Sequence, residues 1–326
     1  MSVGRIVKYA IAASAVLMIL LGRQPADAQT YPNRKITIVV AFAAGGFADT
    51  MARLVAQGLG ERLHESVVVE NRPGAGGNIA AALVAHAPSD GYTLLATTTA
   101  LAINETLMEN KQFAASDLKT VAMVASSPEA LATSAQNPAK NLPEFIKAMN
   151  GKVINFGSAG VGTGSQIEAE YFFKFLAKVP AQHIPFQGGA PATNAAIAGQ
   201  IDILAATLGG GVAAQMNAGT IKGLGIAADK RAAVVPNVPT YAEQGFPNFT
   251  AASWVGIFAP AKTDPQILAA LNGAISDTVK SSAVQDKLTA LGFDPIVGSQ
   301  ADADAMFTAE VKKWGGMVKA LNLSIK

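Results

Sequence analysis

Strand-like and helix-like patterns alternate along this chain, and their order limits the possible folds more than any other feature does. A β-branched run at 36–42 is followed by Gly45-Gly46 and then by apolar residues at helical spacing from Met51 to Leu63. Runs at 67–69 and 92–98 predict two more strands, with a helix over 78–87 between them. This βαβαβ order predicts a parallel sheet with helices on both faces.

A second series of strands and helices begins after residues 121–135. The predicted strands are 153–156, 183–186, 201–205, 221–227 and 253–258, and the predicted helices are 165–175, 191–198, 212–217, 265–279, 283–291 and 302–321. No Pro/Gly/Ser-rich linker separates the two series. We therefore expect two doubly wound α/β domains joined by crossing hinge strands, with the C-terminal helices returning to cover the first domain.

Residues 1–28 have the layout of a secretory signal peptide. Arg5 and Lys8 precede an apolar run over 9–21, and Ala26 and Ala28 supply the small residues of a cleavage site. The run is shorter than the roughly 20 residues that a membrane-spanning helix needs. Because the chain has no cysteine, it has no site for lipid attachment. We expect a periplasmic protein that is secreted by this peptide and is not lipid-anchored.

Charge and composition exclude several classes of function. Residues 1–28 contain three of the chain's 25 basic residues and one of its 23 acidic residues, so the charges of the remainder balance. This balance indicates neither a nucleic-acid groove nor a polybasic membrane surface. The absence of cysteine excludes a disulfide scaffold, a thiolate zinc site and a cysteine nucleophile. We expect no metal and no cofactor.

Glycine-rich loops at 41–49, 71–78 and 157–165 each follow a predicted strand and precede a predicted helix. Glycines let such a loop point several backbone N–H groups in one direction, and a helix N-terminus adds about half a positive charge. Open α/β sheets bind ligands at the carboxyl ends of their strands, where these loops lie. The loops predict an anion site without cationic side chains. Neither a phosphate-binding loop nor a dinucleotide fingerprint is present.

Few residues are placed for catalysis. The histidines are His64, His86 and His183, and none stands at metal-ligand spacing from another. His64 and His86 fall at predicted helix ends and His183 begins a strand, so we expect structural roles for them. No Gly-x-Ser-x-Gly nucleophile elbow occurs. Asp49 is expected to be a helix N-cap that also fixes the first loop. The residues predict a protein that holds an anion without transforming it.

Several stretches together carry a family resemblance. They are Tyr31-Pro32, 36–40, Gly45-Gly46 with Asp49, 68–78, 90–95, 185–191, 199–202 and 236–240. The most specific is Glu-Asn-Arg-Pro-Gly-Ala-Gly-Gly at 70–77. The chain resembles the Bug family, the periplasmic solute receptors of tripartite tricarboxylate transporters, from about Tyr31 to its C-terminus.

The resemblance implies a type II periplasmic-binding-protein fold that closes over a carboxylate. Domain 1 is expected at 29–131 and 250–326, and domain 2 at 132–249. In the family two loops grip the carboxylate through backbone N–H groups and water, and they match 42–49 and 158–166. The loop at 72–78 is interpreted as structural, with Asn78 as an N-cap. The expected ligand-binding residues are Phe42, Ala44, Gly45, Gly46, Asp49, Ser158, Ala159, Gly160, Gly162, Thr163, Gly164, Ser165, Gln166 and Thr207.

The chain departs from the family pattern in three places. Alanines at 41, 43 and 44 replace prolines of the first loop, and Gln166 replaces a histidine of the second. Ala206 stands where the family often has an aspartate that would receive a ligand ammonium or hydroxyl. Its absence argues against an amino-acid ligand. We expect a dicarboxylate or an aromatic carboxylate.

The expected partners also follow from the resemblance. They are a small carboxylate ligand and the membrane permease subunits of a tripartite tricarboxylate transporter, served by a monomeric receptor. A receptor that reports to a sensor kinase is an open alternative. A carboxylate-processing hydrolase would need a nucleophile and a base that converge on the cleft, and three scattered histidines with no cysteine do not supply that pair.

Overall fold

The computed structural model describes residues 31–247 and 249–325, so the signal peptide predicted at 1–28 lies outside the described residues. From Arg34 onward the chain forms one compact unit of the mixed α/β class. Among the described residues, no helix combines the length and the apolar character that a membrane crossing needs.

The first part of the chain alternates strands and helices as predicted. Its elements are β1 (Ile36–Val40), α1 (Phe47–Leu63), β2 (Val67–Asn71), α2 (Asn78–Ala85), β3 (Thr93–Thr98) and α3 (Ala100–Leu107). β1 lies between β2 and β3, and both run parallel to it. Because α1 and α2 pack on these strands, the β-branched side chains of Ile36, Ile38 and Val40 are fully buried.

The next elements build a second parallel set of strands. They are β4 (Leu118–Ser134), α4 (Leu142–Ala148), β5 (Ile154–Ser158), α5 (Gly164–Tyr171), β6 (Ala181–Pro185), α6 (Gly189–Ile197), β7 (Ile203–Thr207), α7 (Val212–Asn217) and β8 (Ile221–Ile226). β5 lies between β6 and β7 and runs parallel to both. The helix predicted at 165–175 is wrong in its last turn, because 172–177 is a π-helix that buries Phe172 and Phe173 together.

The chain then returns to the first set of strands. Its last elements are β9 (Ala252–Pro260), α8 (Pro265–Lys280), α9 (Ser282–Ala290), β10 (Asp294–Pro295) and α10 (Gln300–Leu321). α8 packs on α1, where Gly58 leaves room for Thr278: a Cβ atom at Gly58 would come 2.2 Å from Thr278 Cγ2. α10 packs on α3 and β4, so these helices cover the first part of the chain as predicted.

Two antiparallel strands, β4 and β9, connect the parallel sets. β9 pairs with β3 on one edge and with the first two thirds of β4 on the other. The last third of β4 leaves β9 and pairs with β7 and β8. β4 therefore connects the two parallel sets, and the structure is two doubly wound α/β parts joined by crossing strands.

Candidate functional site

A small cavity lies where loops from both parallel sets meet. It encloses about 50 Å³. Its walls are the segments that follow β1, β5, β6 and β7, together with residues of β3 and β9. The lining residues are Phe42, Gly46, Phe47, Ala48, Thr98, Ala159, Thr163, Gly164, Ser165, Gly189, Ala190, Ala206, Thr207, Gly209, Gly210, Val212 and Ser253. These residues include no charged side chain, so polar contacts come from hydroxyl groups and the backbone.

Asp49 holds the first loop in shape. Its carboxylate accepts hydrogen bonds from Gly45 N–H at 2.9 Å, from Asn71 Nδ2 at 2.9 Å and from both Nε and Nη2 of Arg53. Burial raises the pKa of Asp49, but the donors from Arg53, Gly45 and Asn71 outweigh it and lower the pKa overall. The N-cap prediction is wrong, because Gly46 is the N-cap of α1 and Asp49 is its third residue. The side chain instead ties the loop to Arg53 and Asn71.

Asn78 is likewise not an N-cap. The N-cap of α2 is Gly77, which has a left-handed conformation (φ +95°) and stands one residue before the predicted cap. Asn78 is the first residue of the helix, and its Oδ1 accepts from Asn104 Nδ2 at 3.4 Å. The loop at 72–78 thus connects to α3.

Internal hydrogen bonds hold the second loop. Gln166 Oε1 accepts from Gly162 N–H at 2.7 Å, so these two groups satisfy each other. Thr163 caps α5 by accepting from Gln166 N–H at 3.4 Å, and its hydroxyl donates to the Gly160 carbonyl at 2.7 Å. Ser158 hydrogen bonds to His183 Nε2 at 2.6 Å. The shape of the loop is therefore fixed by contacts among its own residues and with His183.

His183 has the structural surroundings that the sequence indicates. Its ring stacks on Phe156 with centroids 5.0 Å apart, on the strand next to its own. Burial lowers its pKa to about 4, so the ring is neutral near neutral pH. His64 and His86 stand at the C-terminal ends of α1 and α2, as predicted.

The loops of the two sets touch each other around the cavity. A Cβ atom at Gly76 would come 2.3 Å from the Val161 carbonyl oxygen, and one at Gly210 would come 2.7 Å from Phe47 N. Such close backbone approaches require glycine, and they show that the loops are closed over the cavity.

The cavity brings together part of the predicted ligand-binding set. Phe42, Gly46, Ala159, Thr163, Gly164, Ser165 and Thr207 line it. The other predicted residues, which stand behind or beside the wall, are Ala44, Gly45, Asp49, Ser158, Gly160, Gly162 and Gln166. Ala44 and Gly45 are exposed, whereas Asp49, Ser158 and Gln166 are buried in the contacts described above.

Sequence reasoning missed the polar groups beneath the cavity. Glu129 of β4 is completely buried, and its Oε1 accepts from Ser253 Oγ at 2.5 Å. Burial raises the pKa of Glu129 to about 7, although the hydroxyls of Ser253 and Thr207 act in the opposite direction. Its only sequence signal is an acidic residue inside the otherwise uncharged stretch 120–139.

A second buried carboxyl lies nearby on α5. Glu168 Oε1 accepts from the Tyr241 hydroxyl at 2.5 Å, and Glu168 Oε2 has no hydrogen-bond partner among the described residues. Burial raises the pKa of Glu168 to about 8, and the neighbouring charge of Glu129 adds to this rise. Near neutral pH Glu168 is thus largely protonated, whereas Glu129 is close to its midpoint.

The fold and the cavity define a class of protein. The structure of the periplasmic binding protein BugD has the same fold: it is 26% identical with a TM-score of 0.86, covering 91% of this chain and 100% of that one. Residues 51–323 match the family described as TctC, Tripartite tricarboxylate transporter family receptor, and the chain belongs to this family. This match confirms the Bug-type resemblance.

Individual relatives agree with this assignment. Protein BugT of Bordetella pertussis is 33% identical over 312 residues, which cover 93% of this chain and 94% of that protein. The structure of MatC from Rhodopseudomonas palustris with bound malate is 33% identical with a TM-score of 0.83, covering 88% of this chain and 100% of that one. A protein from R. palustris with adipate is 29% identical with a TM-score of 0.86, covering 90% and 99%.

Proposed function

We propose that the protein is an extracytoplasmic receptor that captures a small carboxylate in this cavity and delivers it to a tripartite tricarboxylate-type permease. The observation that carries the proposal is the cavity itself: loops from both parallel sets line it, and no charged side chain does. Domain 1 (29–131 with 250–326) and domain 2 (132–249) close over the ligand. A ligand that contacts both domains only in the closed state stabilises closure by its differential affinity.

The wall chemistry supports a carboxylate. The N-terminal ends of α1 and α5 both border the cavity, at Gly46 and Gly164. These helix ends favour a negative charge, and the hydroxyl groups of Thr163, Ser165 and Thr207 make the same wall polar. The ligand's proximal carboxylate lies between Gly46 and the 159–165 loop. Structural neighbours bind malate and adipate, which supports a dicarboxylate for this chain as well.

The proposed location is the periplasm. The signal-peptide layout of 1–28 and the missing cysteines support export without a lipid anchor. An exported protein made in cells should therefore begin at Gln29, and N-terminal sequencing of the periplasmic fraction tests this. A mature chain that retained residues 1–28 would contradict the export proposal.

A thermal-shift screen tests ligand capture. The panel holds malate, adipate, tricarboxylates, aromatic carboxylates, nicotinate, aspartate and glutamate. A ligand at 100 times its dissociation constant adds roughly 2.7 kcal/mol to the free energy of unfolding, which is easily detected. We expect a dicarboxylate or aromatic carboxylate to raise the melting temperature most. A screen in which no carboxylate stabilises the protein, or in which aspartate or glutamate does so best, contradicts the proposal.

A matched pair of variants places the ligand in the cavity. Gly189 lines the cavity, and a Cβ atom there meets nothing within 4 Å, so Gly189→Leu adds volume at the wall without overlap. Gly273 of α8 has equally open surroundings and lies outside the cavity. We expect Gly189→Leu to abolish the thermal shift and Gly273→Leu to preserve it. Equal shifts in both variants would argue that the ligand binds elsewhere.

Delivery needs a test in cells. A strain without this receptor should lose uptake of the radiolabelled carboxylate found in the screen, and the wild-type gene should restore it while Gly189→Leu does not. Unchanged uptake in the deleted strain, together with ligand-dependent activity of a sensor kinase, would assign the receptor to signalling instead.

A further inference from the structure

Glu129 lies beneath the cavity, one hydroxyl away from its interior. Thr207 faces Glu129 across the β4–β7 pair, and its Oγ1 lies 3.2 Å from Oε2 and 3.3 Å from Oε1. Ser253 of β9 donates to Oε1 at 2.5 Å. Because Thr207 and Ser253 both line the cavity, the state of the Glu129 carboxyl decides which atoms these hydroxyls present to a ligand.

The polar cluster is closed off by the backbone. Thr99 Oγ1 lies 2.9 Å from Ser253 Oγ and completes the cluster. Gly164, the first residue of α5, covers it so tightly that a Cβ atom there would come 2.4 Å from Ser253 Oγ and 2.8 Å from Glu129 Oε1. Glu129 is therefore shielded from water and communicates with the cavity through hydroxyls.

The cavity floor, formed by the hydroxyls of Ser253 and Thr207 next to Glu129, has two hydrogen-bonding states that depend on whether Glu129 is protonated. An ionised carboxylate only accepts, so with Glu129 ionised the hydroxyls of Ser253 and Thr207 both donate to it and show lone pairs to the cavity. A protonated Glu129 donates one hydrogen itself, which releases a hydroxyl to donate into the cavity. Only the protonated state suits a ligand carboxylate, because that ligand needs donors.

The charged surroundings favour the same state. The titratable groups that face Glu129 are Glu168 of α5 and Tyr241, and neither supplies a positive charge. β7, β9 and α6 contain no charged residue. Three of the charges on the other elements packed on β4 have partners of their own: Lys222 of β8 donates to the Asn137 carbonyl, Glu310 of α10 accepts from Trp254 Nε1, and Asp304 of α10 pairs with Lys119. The remaining charged residues of these elements form no hydrogen bond or ion pair with Glu129 among the described residues; they are Glu170 of α5, Asp277 and Lys280 of α8, Asp294 of β10, and Asp302, Lys312, Lys313 and Lys319 of α10.

Building on the proposed function, we propose that Glu129 sets the hydrogen-bond direction of the cavity floor and that a ligand carboxylate binds together with a proton held on Glu129. A second negative charge beside a buried carboxylate is strongly unfavourable at low dielectric, so ligand and ionised Glu129 exclude each other. A pKa of about 7 for the free receptor puts this exchange in the physiological range. Affinity should then fall as the pH rises.

Titration calorimetry with adipate, and with malate as a second probe, tests the coupling. The protonated fraction of a group with a pKa of about 7 falls roughly 20-fold between about pH 6.5 and about pH 8.5, while the ligand stays ionised. We expect the wild-type affinity to fall by roughly that factor. Glu129→Gln, a neutral side chain of the same shape, should bind equally well at both pH values.

Two further measurements separate the possible outcomes. Glu168→Gln removes the other buried carboxyl, which does not bond to the cavity hydroxyls, and should keep the pH dependence. Binding enthalpies in buffers of different ionisation heat should show the wild type taking up close to one proton near pH 8.5, even if Glu129→Gln does not fold. Wild-type binding without pH dependence or proton uptake overturns this inference alone, whereas no carboxylate binding at either pH overturns the proposed function as well.

Discussion

Gly162 lies directly against Asn104, and this contact joins the second loop to α3. A Cβ atom at Gly162 would come 2.1 Å from Asn104 Oδ1. Asn104 Nδ2 also donates to the Gly76 carbonyl at 3.1 Å, so one side chain touches both glycine loops. Because Gly162 belongs to the second part of the chain and Asn104 to the first, the proposed closure would bring these two residues together.

Gly162→Ala should therefore weaken ligand binding by blocking closure. Its φ of +78° also strains any side chain, at about 1 kcal/mol. Gly219→Ala is the matched control, because its φ is +71° and a Cβ atom there meets nothing within 4 Å. We expect both variants to lose stability in urea unfolding, but only Gly162→Ala to lose affinity in calorimetry. Combining Gly162→Ala with Asn104→Ala, which frees the space, should restore part of the affinity. A double variant with the same affinity as Gly162→Ala alone would refute the steric explanation.

Asp49→Asn should destabilise the protein by about 2 kcal/mol at neutral pH. The carboxylate of Asp49 accepts hydrogen bonds from Gly45, Arg53 and Asn71, whereas the NH2 group of an asparagine can only donate and would face these donors. The folded pKa of Asp49 lies below its ordinary value of 3.8. Its stabilisation is thus present above that value and is lost as the pH falls through the folded pKa. Urea unfolding at about pH 7 and about pH 3 should show the difference from wild type shrinking in acid. Asp90→Asn, in an exposed pair with Arg34, should cost less than about 1 kcal/mol.

Stability should fall as the pH rises from about 5 to about 8. Glu168 ionises near 4.5 in the unfolded chain, but burial raises its folded pKa to about 8. In this window the folded state holds one more proton, so the free energy of unfolding falls by at most about 1.4 kcal/mol per pH unit for this group. Denaturant unfolding across the range should show a shallower slope in Glu168→Gln than in wild type. Glu61→Gln, on the surface of α1, should leave the slope unchanged; equal slopes in all three proteins would contradict the assignment.

Gly164→Ala tests the cover over the buried polar cluster. This glycine has no positive φ, so backbone strain does not arise, and the expected damage comes from overlap with Ser253, Glu129 and Thr99. We expect a loss of both thermal stability and carboxylate affinity. Ser253→Ala removes the nearest overlapping oxygen and should recover stability in the double variant without recovering affinity, since the floor hydroxyl is then missing. Full affinity in Gly164→Ala would show that α5 shifts freely.

The alternating strands and helices and the positions of the glycine-rich loops between them could be predicted from the sequence because both depend on local pattern. The β-branched residues of β1 favour a strand and the glycines after it favour a turn, independently of distant residues. β4 was not predicted: its stretch contains alanines, serines and Pro128, which favour strands weakly, and pairing on both edges decides its conformation.

Polar contacts depended on residues far apart in the chain. Glu129 meets Ser253, which lies 124 residues later, and no local pattern indicates that pairing. Asp49 and Asn78 were assigned as N-caps from their residue type, but the glycines before them adopt the cap positions. Both residue types are typical of N-caps, but the observed caps lie three residues before Asp49 and one residue before Asn78.

The course of β4 has a consequence for how a solute enters. In the proposed closure, the strand runs unbroken from one part into the other, so the point where its pairing changes from β9 to β7 and β8 would move least, and the loops around Gly46 and Ala159 would move most. Glu129 stands at that point. Its charge would therefore act on a solute that enters the open form before the loops reach it.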